Sequence, residues 1–396
     1  MTVIKRVLGE GFRVFFLCAG LYAVFAGAIW AMWLLAQARG AELALPVADP
    51  QMWHAHEMIF GYAGAAMGGF FLTAVPNWTN TPGARIGFLS VAAGLWLAGR
   101  LAMWGSGVLP APLVAVADLG FVPILSLKIA SQLIKRPKPQ NMMFLLILTL
   151  LWLGNLFVHL EWLGVMADSA GAGLRAGLFA LCAMIVVLGG RITPAFTRNA
   201  MKREGVPEAG WPVSVAPLEK AALVLALALP ISVLMGAAGL PEAVAAVVAI
   251  LLGAVQFMRL LRWRGGWTLR QPILFALHLG LAMLGAGLIL WGLAALGLGQ
   301  EVAALHLLAI GGVGGMTLAV MSRAALGHSG RALIAPKPVA LGYGLLALTA
   351  LLRWGAGQWA GEGYFLVMAA ISLLWTVVFV LFSMCLWPAL VKPRLS

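Results

Sequence analysis

Charge is what this sequence lacks most. Asp, Glu, Lys and Arg make up only 10% of its 396 residues, while 62% are hydrophobic. Soluble domains carry roughly 25% charged residues, so the composition excludes a soluble fold and points to an integral membrane protein. Acidic residues are the scarcer sign, 13 against 26 basic ones. The basic excess is scattered through short connections with no groove-binding motif, which excludes nucleic acid as a partner. Cysteine is nearly absent, and Cys18, Cys182 and Cys385 lie in separate apolar runs. They form no CxxC, no zinc spacing and no CxxCH, so any haem would be held by axial ligands alone. The chain also lacks a nucleotide-binding loop and a Ser-His-Asp arrangement.

What is there is a succession of long apolar runs. A window of about 19 residues finds them near 11–37, 52–75, 86–105, 111–134, 142–163, 172–196, 216–239, 241–261, 272–297, 301–326, 338–359 and 364–390. The first is too long for a cleaved signal peptide, and Leu17 before Cys18 does not suit a lipoprotein signal, so it reads as an uncleaved span. The expectation is an all-α polytopic protein of about twelve transmembrane helices. Residues 1–396 form one membrane domain, because most connections are too short to fold alone. The basic residues fix the orientation. With a cytoplasmic N-terminus, the inner side holds every Lys and Arg except Arg39, Arg100, Arg175 and Arg353. This asymmetry predicts an even number of spans with both termini on the cytoplasmic side.

The most informative stretch is Trp53 to Asn80, WHAHEMIFGYAGAAMGGFFLTAVPNWTN. Ionisable residues inside a membrane are costly, so His54, His56 and Glu57 at the mouth of span 2 mark a candidate site. Neutral imidazole binds copper or haem iron, and Glu57 can ligate or fix the tautomer of a ligating ring. Pro76-Asn77-Trp78 is expected to stop this helix. On the predicted topology His306 enters span 10 from the same outer face and to the same depth as His56, while His159 ends span 5 on that face. Equal depth makes His56 and His306 the expected haem ligands. Residues two apart on a helix point nearly opposite ways, whereas His54 and Met58 stack one turn apart, so His54 and Met58 suit a copper or second centre. His278 and His328 lie towards the cytoplasm.

A weak internal repeat runs through GGFFLTAVPN from Gly68, GGRITPAFTR from Gly189 and GGMTLAVMSR from Gly314. It implies three four-span units around a pseudo-threefold axis. That plan is similar to the large subunit of the haem-copper oxidases and nitric oxide reductases, in which the second and tenth spans supply haem histidines. The three copper histidines that plan expects on spans 6 and 7 are missing here.

The closer resemblance is carried by HAHEMIFGYAGAAMGGFFLTAVPNWTNT, GGRITPAFTRN and HLLAIGGVGGMTLAVMSRAALGHSGR. These blocks resemble the signature blocks of the NnrS family, and span count and block order agree along the whole chain. The resemblance implies a bacterial inner-membrane protein containing haem and copper, linked to nitric oxide and to resistance against nitrosative stress. It leaves open whether nitric oxide is reduced, as by an oxidoreductase, or only sensed or bound, and from which electron donor. Carried onto this chain, it makes His54, His56, His306 and His328 the metal candidates.

Three further polar features accompany the histidines. Arg191, beside Pro194, is placed either to meet a haem propionate or to snorkel to the inner surface. Asp118 in span 4 can pair with Arg100 of span 3 or serve as a proton relay. Met316 and Met321 are soft ligands by chemistry and gap fillers by habit. A second function class, a multi-span transporter of a small solute or metal, also suits twelve spans. Transporters, however, gather polar residues near the midplane on broken helices of repeated halves.

Overall fold

The computed structural model describes residues 2–358 and 361–395. Among these there is no strand, and twelve helices are long and apolar enough to cross a membrane. They are α1 (Gly11–Ala38), α2 (Pro50–Thr79), α3 (Ile86–Trp104), α4 (Ala111–Leu133), α5 (Pro139–Trp162) and α6 (Ala170–Arg203), then α7 (Ala216–Gly236), α8 (Glu242–Leu260), α9 (Pro272–Ala295), α10 (Glu301–His328), α11 (Lys337–Ala356) and α12 (Tyr364–Val391). Each falls on one of the expected apolar runs.

Burial repeats every four helices. In the most apolar stretch of each span the buried share is 56, 78, 39 and 39% through α1–α4, 50, 78, 33 and 39% through α5–α8, and 61, 61, 33 and 39% through α9–α12. The first two helices of each set are therefore inner and the last two outer. The second helices α2, α6 and α10 touch one another, and α12 packs along α1 to close the ring. The four-helix period of burial matches the length of the expected units; the second helix is the most buried in the first two sets, and α9 and α10 are equally buried in the third.

The inner helices are built to approach closely. Small residues let membrane helices pack backbone to backbone, as where Gly154 of α5 meets Gly173 and Gly177 of α6. The helix ends follow capping chemistry. Asp49 caps α2 by accepting from the Gln51 and Met52 amides at 2.7 and 2.9 Å, with Pro50 at the first helical position. One expectation fails at the other end. Pro76 does not stop α2, which runs on to Thr79 and ends at Asn80 in the left-handed conformation, φ 50°. A proline removes one backbone donor, here the one that would reach Leu72 O, and the remaining helix bonds carry the chain on for one more turn.

Two inner helices are not regular. α2 is π-helical over Glu57–Ala63 and α10 over Leu307–Gly314. Each π segment begins immediately after a histidine, His56 or His306. Such segments are rare and frequent at functional sites. Both carry glycine, Gly61 in α2 and Gly311, Gly312 and Gly314 in α10.

Candidate metal centre and buried ionic network

Helical phase separates the two histidines at the mouth of α2. His54 turns towards α1 and α10. Its ring lies flat on Trp30, with centroids 4.3 Å apart and planes 9° from parallel. On the α10 side it meets His306, at 6.4 Å and 13°. The His306 Nδ1–H donates to the Val302 carbonyl, 2.7 Å away, one turn back on its own helix. That bond fixes the tautomer and leaves the Nε2 lone pair uncommitted, a common arrangement in metal-binding histidines. His54 Nδ1 is buried with no hydrogen-bond partner. An unsatisfied buried polar atom costs about 1–3 kcal/mol, a cost that a ligand at this nitrogen would remove. Imidazole suits copper and iron alike, and the pair therefore fits the metal that the sequence blocks imply.

His56 faces the other way, into a fully buried network joining five helices. Its Nδ1 lies 2.9 Å from Glu57 Oε1, and its Nε2 lies 2.8 Å from Asn155 Oδ1 and 3.2 Å from Asp118 Oδ2. Arg100 of α3 pairs with both Glu57 and Asp118. Asn155 and His159 of α5 reach Asp118 Oδ2 at 2.7 and 2.9 Å. Tyr22 of α1 donates its hydroxyl to Glu57. Burying charge is tolerable only when it is paired and hydrogen-bonded, and here two carboxylates share one guanidinium and two imidazoles. Gly61 makes room for this. A Cβ there would stand 2.7 Å from Arg100 Nη1 and 2.8 Å from the Tyr22 ring.

His56, Asp118 and His159 also bring three ligand atoms within 4.8 Å of one another, a geometry that can hold an ion. Yet Asp118 already accepts from Arg100 and Asn155, and both nitrogens of His56 face oxygens. The carboxylates and imidazoles of the cluster are paired among themselves, with only Arg100 Nε left without a partner.

The remaining candidates lie elsewhere. Met58 is half-buried against the core one turn beyond His54. His328 ends α10 about 33 Å beyond His306 at 1.5 Å per residue, against the ring of Phe12. His278 of α9 meets Thr197 at 3.0 Å. Arg191 bonds Asn141 and the Gln140 carbonyl and lies over Phe144, which is the snorkelling arrangement. Met316 and Met321 are buried in the main core cluster. Thus the structure joins His54 to His306, and Arg100 to Asp118 and Glu57, but does not bring His56 or His328 to His306. Tyr22, Asn155 and His159 complete the network. Of these, only His159 carries a sequence signal, its place at the outer end of span 5.

The family model described as NnrS protein matches residues 6–394 of the chain. Among curated proteins no match is found.

Proposed function

The chain belongs to the NnrS family, and from that premise we propose that it is a haem- and copper-containing protein of the bacterial cytoplasmic membrane that handles nitric oxide. The observation that carries the metal part is the His54–His306 pair, near-parallel rings 6.4 Å apart with a buried nitrogen left unpaired. When bound, the metal supplies a redox-active ion able to take nitric oxide as a ligand. The chain's own residues do the rest. His306 is oriented by the Val302 carbonyl, and His54 is held flat by Trp30, both rings being half-buried.

The Glu57–Arg100–Asp118 network locks α2, α3, α4 and α5 together within a turn of His54, so it positions the mouth of α2. With this assignment His56 belongs to the positioning network and His54 to the centre. The outer-face placement follows from the basic asymmetry of the connections, with both termini cytoplasmic.

Metal analysis and a reduced-minus-oxidised spectrum of the purified protein test this reading. Expected is a haem spectrum that acid acetone removes, since no CxxCH tethers the group, together with copper. A colourless, metal-free preparation from haem-replete cells would overturn it in favour of a transporter.

A further inference from the structure

Ring pairs in this molecule are mostly tilted or edge-on, the geometry that aromatic quadrupoles favour. Among the described residues three pairs lie within 13° of parallel, and they share members. Trp33 lies on Trp30 with centroids 4.8 Å apart and planes 9° from parallel. Trp30 lies on His54 at 4.3 Å and 9°. His54 faces His306 at 6.4 Å and 13°. The result is one column of three rings in contact, Trp33, Trp30 and His54, with the His306 ring beyond it. It starts near the end of α1 and finishes at the histidine pair. Trp33 joins a small apolar cluster there with Leu34, Met368 and Tyr364. Tyr364 in turn lines an open cleft with Gln37, Arg39, Gly357 and Glu362. The column thus leads from a surface cleft to a buried nitrogen that lacks a partner.

We propose that the stacked rings of Trp33, Trp30 and His54 are the electron-entry path from the outer cleft to the metal held by His54 and His306. The proposal rests on the metal reading above. Electronic coupling falls steeply across empty or saturated gaps and less steeply through π systems in contact, so a column of stacked rings shortens the effective distance to the surface. One electron leaves a reduced one-electron carrier docked at the cleft and arrives at the oxidised metal ion. No bond forms or breaks, no proton moves, and both indoles end as they began. A packing role alone would be met by edge-on aromatics, as it is at Trp53, Trp104 and Phe25 close by.

The test uses the full chain in detergent, with Cys18, Cys182 and Cys385 replaced by Ala and a photoactive ruthenium tris-bipyridine attached to Gln37→Cys at the cleft. After a flash with an oxidative quencher, the Ru(III) label withdraws one electron from the column and leaves an indole cation radical. Expected is a transient tryptophanyl signal that disappears in a Trp30→Phe, Trp33→Phe double variant. In metal-loaded, reduced protein, oxidation of the metal follows the flash. It slows by an order of magnitude in Trp33→Phe, whose ring touches Trp30 and not His54, with metal content and optical spectrum unchanged. An undiminished radical signal in the double variant, or metal oxidation there at the parent rate, overturns the proposal. If the parent binds no metal, the metal reading fails, while the radical measurement still decides whether the column carries charge.

Discussion

His56 and His306 occupy the same station on two different inner helices, each the last α-helical residue before a π-helical segment, yet their rings go to different places. His306 turns to His54, and His56 turns to Glu57, Asn155 and Asp118. The shared station reflects the repeat, in which α2 and α10 are equivalent inner helices of the first and third units. The difference reflects rotation about the helix axis. A residue two positions earlier on α2 is turned by about 200°, so only one member of the HxH pair can face α10, and the structure gives that place to His54.

The first prediction follows from this division. His54→Ala and His306→Ala should each lose bound metal, measured by elemental analysis and the optical spectrum. His56→Gln should keep the metal, because both its ring nitrogens serve the network. His278→Ala and His328→Ala should keep it too. Metal lost from His56→Gln but retained in His54→Ala would move the centre into the His56–Asp118–His159 cluster.

Much of this architecture is legible in the amino-acid sequence, for definite physical reasons. Span positions follow from hydropathy because a membrane demands about twenty apolar residues per helix, and every expected run is a helix. The Arg100–Asp118 pair is legible because charge is so scarce within the spans that each group has few partners to choose from. The choice between His54 and His56 is not. Depth along a helix can be counted from its first residue, but which helix a side chain meets depends on rotation and on how neighbours pack. Tyr22 and Asn155 leave no sequence signal at all, since a lone tyrosine or asparagine in an apolar run looks alike whether it pairs with a carboxylate or not. The persistence of α2 through Pro76 is hidden for a similar reason. A proline costs a helix one bond, and whether the rest of the turn persists depends on packing around it.

The second prediction concerns the network's cohesion. Arg100→Met removes the cation shared by Glu57 and Asp118, which are both fully buried. Breaking one partner of a buried ion pair costs about 3–5 kcal/mol because the other charge stays uncompensated. Thermal unfolding in detergent should show a large loss for Arg100→Met. The triple variant Arg100→Met, Glu57→Gln, Asp118→Asn should recover a substantial part of it. No loss in the single variant would mean that the carboxylates find other partners.

The third prediction separates two glycines of α2, both buried, only three residues apart. A Cβ at Gly61 would press on Arg100 Nη1 at 2.7 Å and on the Tyr22 ring at 2.8 Å, whereas one at Gly64 would meet nothing within 4 Å. Gly61→Ala should therefore destabilise the protein by about 1–3 kcal/mol, the usual cost of overpacking, and Gly64→Ala should be nearly neutral. Equal melting temperatures for the two variants would show that the π segment relaxes to absorb the methyl group.

The fourth prediction concerns nitric oxide itself. If the His54–His306 pair holds the reactive metal, nitric oxide should perturb the spectrum of the reduced wild-type protein and leave that of His306→Ala unchanged. Cells carrying His306→Ala should be as sensitive to nitric oxide as a deletion strain. Protection surviving in His306→Ala, with the variant present at normal abundance, would separate the protective role from this centre. Turnover is a further step, tested with a nitric oxide electrode and a one-electron reductant. Reduction joins two nitric oxide molecules with two electrons and two protons to give nitrous oxide and water, so a catalytic protein consumes nitric oxide continuously until the reductant is spent. A protein that only binds it consumes one equivalent per centre and stops. Continuous consumption that also slows in Trp33→Phe would make the ring column part of turnover. A stoichiometric burst in both proteins would assign the centre to capture.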